Sequence, residues 1–133
     1  MDLKENQIKD LNITDPINLG SAGLNTRSVN TIYQNTTGKT FLLQIIGNLF
    51  SESTIGGSVS SSIIVLLEKV SPPTIAVLYE ELSTDLALAG QLLFEGCTTS
   101  VLIPNGFYYK VETAVSGDLS NVIVNEWFEI PLY

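Results

Sequence analysis

From Phe41 onward, apolar and polar positions alternate through most of this chain. Between Phe41 and Asn48 one phase carries Phe41, Leu43 and Ile45 and the other Leu42, Gln44, Ile46 and Asn48, the period of two left by a strand with one more apolar face. The residues in front of it, Tyr33-Gln34-Asn35-Thr36-Thr37-Gly38-Lys39-Thr40, read as a corner. Gly38 tolerates a positive φ, and Asn35 and the threonines can bond their own backbone, so one strand is predicted to end near Tyr33 and the next to begin near Phe41. Ser51 to Ser62 reads as a Gly and Ser loop with its tip at Gly56-Gly57, followed by a β-branched strand from Ile63 to Leu67. Ser71-Pro72-Pro73 closes that strand, because proline cannot join a central ladder, and Thr74 to Tyr79 opens another. Thr99 to Ile103 runs into the turn Pro104-Asn105-Gly106. Beyond it, Phe107, Tyr109, Val111, Thr113 and Val115 share one face and Tyr108, Lys110, Glu112 and Ala114 the other. Gly117-Asp118 turns again, and Val122 to Ile130 forms a last strand stopped by Pro131.

Residues 81–94 fit two patterns. Leu86, Leu88, Leu92 and Phe94 alternate as a strand, while the Ala and Leu content and Thr84 as a cap also suit a short helix. Gly90 favours the strand, since inside a helix it costs about 1 kcal/mol relative to Ala. Roughly eight strands joined by short turns predict an all-β fold, an antiparallel sandwich of jelly-roll type.

Residues 1–28 lack this patterning. Leu3, Ile8, Leu11, Ile13, Ile17 and Leu19 are spread among charges, Asp15-Pro16 breaks any helix, and Gly20-Ser21-Ala22-Gly23 is a flexible sequence. They read as a terminal tail or as an arm whose Leu3, Ile8, Leu11, Ile17 and Leu19 dock on a neighbouring subunit. The chain is accordingly divided into an arm, 1–28, and a β-sandwich domain, 29–133.

At 133 residues the chain is long enough for one core without metal or disulfide staples. A formal charge of −8, with the six basic residues scattered, argues against nucleic acid as a partner. The amino terminus is too polar for a signal peptide and no apolar run reaches the length of a membrane span, so synthesis in a cytoplasm without membrane insertion is expected. With no histidine and the single cysteine Cys97, the Ser-His-Asp and Cys-His nucleophiles and the ordinary zinc site are unavailable. No cofactor and no enzymatic activity are expected. Glu80, Glu81 and Asp85 could offer oxygens to Ca²⁺ but lack the spacing of a dedicated loop and read as a solvated turn. Asn12-Ile13-Thr14 and Asn35-Thr36-Thr37 match the glycosylation pattern, which has no meaning without secretion.

Among the aromatics, Trp127 and Tyr109 lie in alternating strands and are predicted to fill the core. Tyr108, opposite in phase to Tyr109, and Tyr79 are the candidates for a surface that stacks on sugars. A free carbohydrate-binding module is therefore the alternative function. An apolar content of 44% with few charges in the strands further predicts self-association.

The segment Arg27 to Lys39 with its Tyr33-x-Asn35-x-Thr37-Gly38 corner, the late Ile103-Pro104-Asn105-Gly106-Phe107-Tyr108-Tyr109 turn and the terminal Asn125-Glu126-Trp127-Phe128-Glu129 resemble the small β-sandwich domains at the ends of bacteriophage tail fibres and in other phage virion proteins. The resemblance covers residues 27–133 and departs from the family pattern over residues 50–95. It implies a non-enzymatic virion part, a tail-fibre, receptor-binding, capsid-decoration or head-fibre component. It also implies symmetric assembly, commonly as a homotrimer, and contact with a host surface or another virion protein. It carries over no catalytic residue.

Overall fold

The computed structural model describes residues 26–132, in which seven strands and no helix occur: β1 (Ile32–Gln34), β2 (Phe41–Ser51), β3 (Gly57–Glu68), β4 (Ala76–Ala87), β5 (Leu93–Ile103), β6 (Tyr108–Ser116) and β7 (Asn121–Pro131). All pairings are antiparallel and fall into two sheets, β1-β6-β3-β4 and β5-β2-β7. The sheets face each other across one core, as in a β-sandwich. Phe41, Leu43, Ile45 and Leu49 of β2 meet Ile63 and Val65 of β3 and Tyr109 and Val111 of β6, and Trp127 of β7 joins them, all nearly inaccessible to water. The alternation expected for β2, β6 and β7 is thus realised, with Trp127 and Tyr109 inside.

The pairings are nested: β3 pairs with its successor β4, β2 with β5 and β1 with β6. β7 adds to the free side of β2, giving that strand a neighbour on each side over nearly its whole length. A register shift between Ile46 and Gly47 interrupts the β2–β7 ladder, and there the Ile123 carbonyl comes so close that a Cβ on Gly47 would lie 2.5 Å from its oxygen. Glycine at this bulge is a requirement of close backbone approach.

Three expectations need correction. The stretch from Ser51 to Ser62 is not a loop throughout: β3 begins at Gly57, and Val59, Ser61 and Ile63 alternate into the core. The serines fit because their hydroxyls find partners, Ser51 Oγ lying 2.9 Å from Ser61 Oγ and donating to the Leu82 carbonyl at 2.7 Å. Second, the strand preferred to a helix for residues 81–94 holds at both ends, but a turn over residues 88–92 divides it. β4 extends to Ala87, Gly90 takes φ 73°, the Gln91 amide bonds the Leu88 carbonyl, and β5 starts at Leu93. Third, the strand expected from Thr74 starts at Ala76, because the Thr74 amide and hydroxyl are held at 2.6 and 2.9 Å by the Glu68 carboxylate. The described residues accordingly hold seven strands where about eight were expected. Leu3, Ile8, Leu11, Ile17 and Leu19 lie outside the described residues.

The corner before β2 is built around Asn35, which is buried with every polar group satisfied. Its Nδ2 donates to the carbonyls of Lys39 at 2.7 Å and Ile103 at 2.8 Å, and its Oδ1 accepts from the Thr37 amide and hydroxyl. Its backbone amide donates to the Phe107 carbonyl, its own carbonyl accepts from the Gly106 amide, and the Gly38 amide donates to Asn105 Oδ1. The corner is thereby tied to the β5–β6 turn.

Candidate functional site

β7 alternation sends Trp127 inward, and the same phase sends Glu129 with it, leaving a carboxylate with no accessible surface inside the sandwich. A buried carboxylate persists only where donors surround it. Here four do: Tyr109 Oη at 2.6 Å, Trp127 Nε1 at 2.8 Å and Arg27 Nε at 2.8 Å reach Oε2, and Arg27 Nη2 at 3.1 Å reaches Oε1. Both sheets contribute, β6 through Tyr109 and β7 through Trp127 and Glu129. Arg27 arrives from the segment before β1, its guanidinium 4.7 Å above the Tyr33 ring. Tyr33 in turn stacks against Tyr109 at 5.8 Å and meets Trp127 edge-on at 6.2 Å, while its hydroxyl accepts the Ser28 amide.

Burial opposes the charge on Arg27, but the Glu129 carboxylate more than offsets it and raises the Arg27 pKa. Burial, with Glu129 beside it, also pushes the Tyr109 phenol well above its ordinary value, so it stays protonated and donating. Three of the four donors converge on Oε2 and one on Oε1, and the carboxylate they hold has no surface exposed to solvent. The group is a clamp between the two sheets and the chain ahead of β1. Compared with protein-family models, with curated proteins and with solved structures, the chain has no match.

The two tyrosines chosen from sequence lie on the outer face of the four-stranded sheet. Tyr108 stands opposite Glu68 and Gln34, half-buried, whereas Tyr79 stands opposite Ile64 on β4 and is 55% exposed. They are two strands apart in the sheet and two outward rows apart along it, on the order of 15 Å, too far for one sugar ring to touch both. The Tyr79 hydroxyl is bonded to Glu81, which also accepts from Ser83 Oγ. Of the three acids weighed for Ca²⁺, Glu80 faces Ile63 on the inner side, Glu81 faces Ser62 on the outer, and Asp85 accepts from Ser58 Oγ. Strand alternation keeps Glu80 and Glu81 apart, and no group of three such ligands forms among the described residues.

Cys97 lies in β5 opposite Gly47, half-buried. Burial holds its thiol above the ordinary value, and the charges of Glu80 and Glu95 add to the effect. A raised pKa leaves less thiolate at neutral pH, and thiolate is the reacting form. Iodoacetamide should therefore label Cys97 in the folded protein more slowly at pH 8 than in the unfolded chain, with an inflection at higher pH. Equal rates and equal inflections would contradict this reading.

The outer face of the three-stranded sheet is the surface that sequence reasoning missed. Leu42, Ile46 and Phe50 of β2 point outward between Leu102 and Phe94 of β5 and Ile130 and Phe128 of β7, with Phe50 and Phe94 rings 5.0 Å apart. Glu126 is the one charged side chain in the outward register rows of this face, whereas the other sheet displays the Lys110–Glu112 ion pair, Glu68 and Glu81. Alternation within β2 showed its share of both faces, but the contributions of β5 and β7 depend on pairings invisible in sequence.

Proposed function

We propose that this protein is a non-enzymatic structural component of a bacteriophage virion, assembled symmetrically as a trimer and displayed on the particle surface as a tail-fibre, receptor-binding, capsid-decoration or head-fibre part. The observation that carries the reading is that the three segments bearing the family resemblance converge. Asn35 of the first is bonded to Ile103, Gly106 and Phe107 of the second, and Tyr33 of the first packs on Tyr109 of the second and Trp127 of the third. Residues that resemble one family across distant segments and meet at one corner belong to a common structural unit. The nested strand pairs, with every connection but β3–β4 passing between sheets, support the jelly-roll form of the sandwich. Residues 1–28 are the attachment arm in this reading, with Arg27 fixing where it leaves the sandwich.

An antiserum raised against the purified protein should label purified particles of the phage whose genome carries the gene, and the protein should co-sediment with them at a fixed copy number. A version lacking residues 2–24 should fold but fail to incorporate. Abundant protein in infected cells with none on particles would overturn the virion reading, and full incorporation of the truncated form would overturn the role of the arm.

A further inference from the structure

The outer face of the β5-β2-β7 sheet carries more apolar side chains than a wetted face needs. An antiparallel sheet in a sandwich ordinarily shows an apolar inner and a polar outer face, whereas a strand apolar on both faces belongs to a sheet covered on both sides. β2 inclines to the second pattern: Phe41, Leu43, Ile45 and Leu49 lie inside, and outside Leu42, Ile46 and Phe50 alternate with Gln44 and Asn48. Its flanking strands extend the outer patch, with Phe94 58% exposed on one edge and Phe128 on the other.

We infer that this face is the surface through which copies of this chain associate, sheet against sheet. The inference rests on the symmetric assembly proposed above and names the surface that makes it. Two observations single out a second copy as occupant. The first is electrostatic: at a formal charge of −8 two copies repel, and they can approach most closely where their surfaces carry the least charge. The rows of this face hold one acid, Glu126, and the four-stranded sheet holds several. The second is size. Three strands of eleven residues each span about 14 Å by about 36 Å, or about 500 Å² in projection, and side-chain relief brings this toward the roughly 800 Å² per partner of a standard interface. Gln44 and Asn48 of the central strand and Ser100, Thr98 and Asn121 of the edge strands are interspersed with the apolar and aromatic side chains, the mixture of apolar area and hydrogen-bonding groups that protein interfaces carry.

The test compares Ile46→Glu and Phe128→Glu, on this face, with Ile64→Glu and Tyr79→Glu, on the outer face of the other sheet, by light scattering during gel filtration. Far-UV circular dichroism and thermal melts establish that each variant is folded, and Phe94→Lys, on an edge strand, replaces any central variant that is not. The wild-type protein should run as a dimer or trimer at tens of micromolar. The variants on this face should run as monomers, with self-affinity weakened at least about a hundredfold, and those on the other sheet should assemble normally. Assembly that survives all the substitutions on this face would overturn the inference and leave symmetric assembly standing through another surface. A monomeric wild type would overturn both, while the virion location is judged separately by the antiserum. A monomer that binds an apolar dye only after removal of residues 2–24 would assign the face to this chain's own amino-terminal segment.

Discussion

Glu129→Leu should lower the stability of the sandwich by about 3–5 kcal/mol, the usual consequence of breaking a buried ion pair from one side. Leucine is apolar and fits the space, so the loss comes from the groups left behind. Tyr109 Oη and Trp127 Nε1 lose their acceptor inside the core, and Arg27 loses the carboxylate that two of its nitrogens reach. Each unsatisfied buried donor costs about 1–3 kcal/mol. Arg27 is the cheapest to release, since part of its side chain already touches water. Urea titrations of Glu129→Leu, Arg27→Met and the double variant measure the coupling. The double variant should be less destabilised than the sum of the two single ones by roughly 2 kcal/mol, because removing both charges leaves neither unpaired. Glu129→Gln keeps one acceptor oxygen and should fall between wild type and Glu129→Leu. A Glu129→Leu protein as stable as wild type would mean that the clamp contributes nothing to the fold.

Gly47→Val should cost about 2–3 kcal/mol, seen as a melting temperature lower by roughly 10 °C. The first added atom would sit 2.5 Å from the Ile123 carbonyl oxygen, and backbone on both strands has to move before it can be accommodated. The displacement falls at the register shift between β2 and β7, so the loss should be concentrated in β7 amide protection. Gly96→Ala in β5 is the control. A Cβ there meets only the Asn48 side-chain oxygen, at an ordinary 3.5 Å, and the stiffer unfolded chain favours the variant by a few tenths of a kcal/mol. Equal effects at the two glycines would exclude close approach as the reason for Gly47.

Much of the sandwich was readable where alternation was clean. β2, β6 and β7 each place their large side chains on one phase, and Trp127 and Tyr109 are inside as that phase requires. Alternation failed at β3 because its inward positions include Ser61, a polar residue made acceptable by Ser51, which becomes its neighbour only after folding. It failed again at residues 88–92, where leucines keep the strand rhythm through what is a turn; Leu88 and Leu92 are left exposed, and nothing local distinguishes them from core residues. The clamp was half legible. Glu129 shares its phase with Trp127, so its inward direction was available from spacing alone, but its partner Arg27 lies 102 positions earlier and no local pattern joins them.

That separation also bears on the order of events during synthesis. The chain leaves the ribosome with Arg27, Tyr33 and the nested pairs of β1 to β6 ahead of β7, so an unfinished chain can form its ladders while Tyr109 and Arg27 still lack the acceptor that closes them. Domains generally fold as units, and here the acceptor sits near the end of the seventh strand. Nascent chains stalled before Glu129 should remain protease-sensitive, and chains carrying an added carboxyl-terminal extension that brings Glu129 clear of the ribosome should become resistant in a single step. The buried carboxylate thus makes the full stability of the sandwich depend on the last strand to be made.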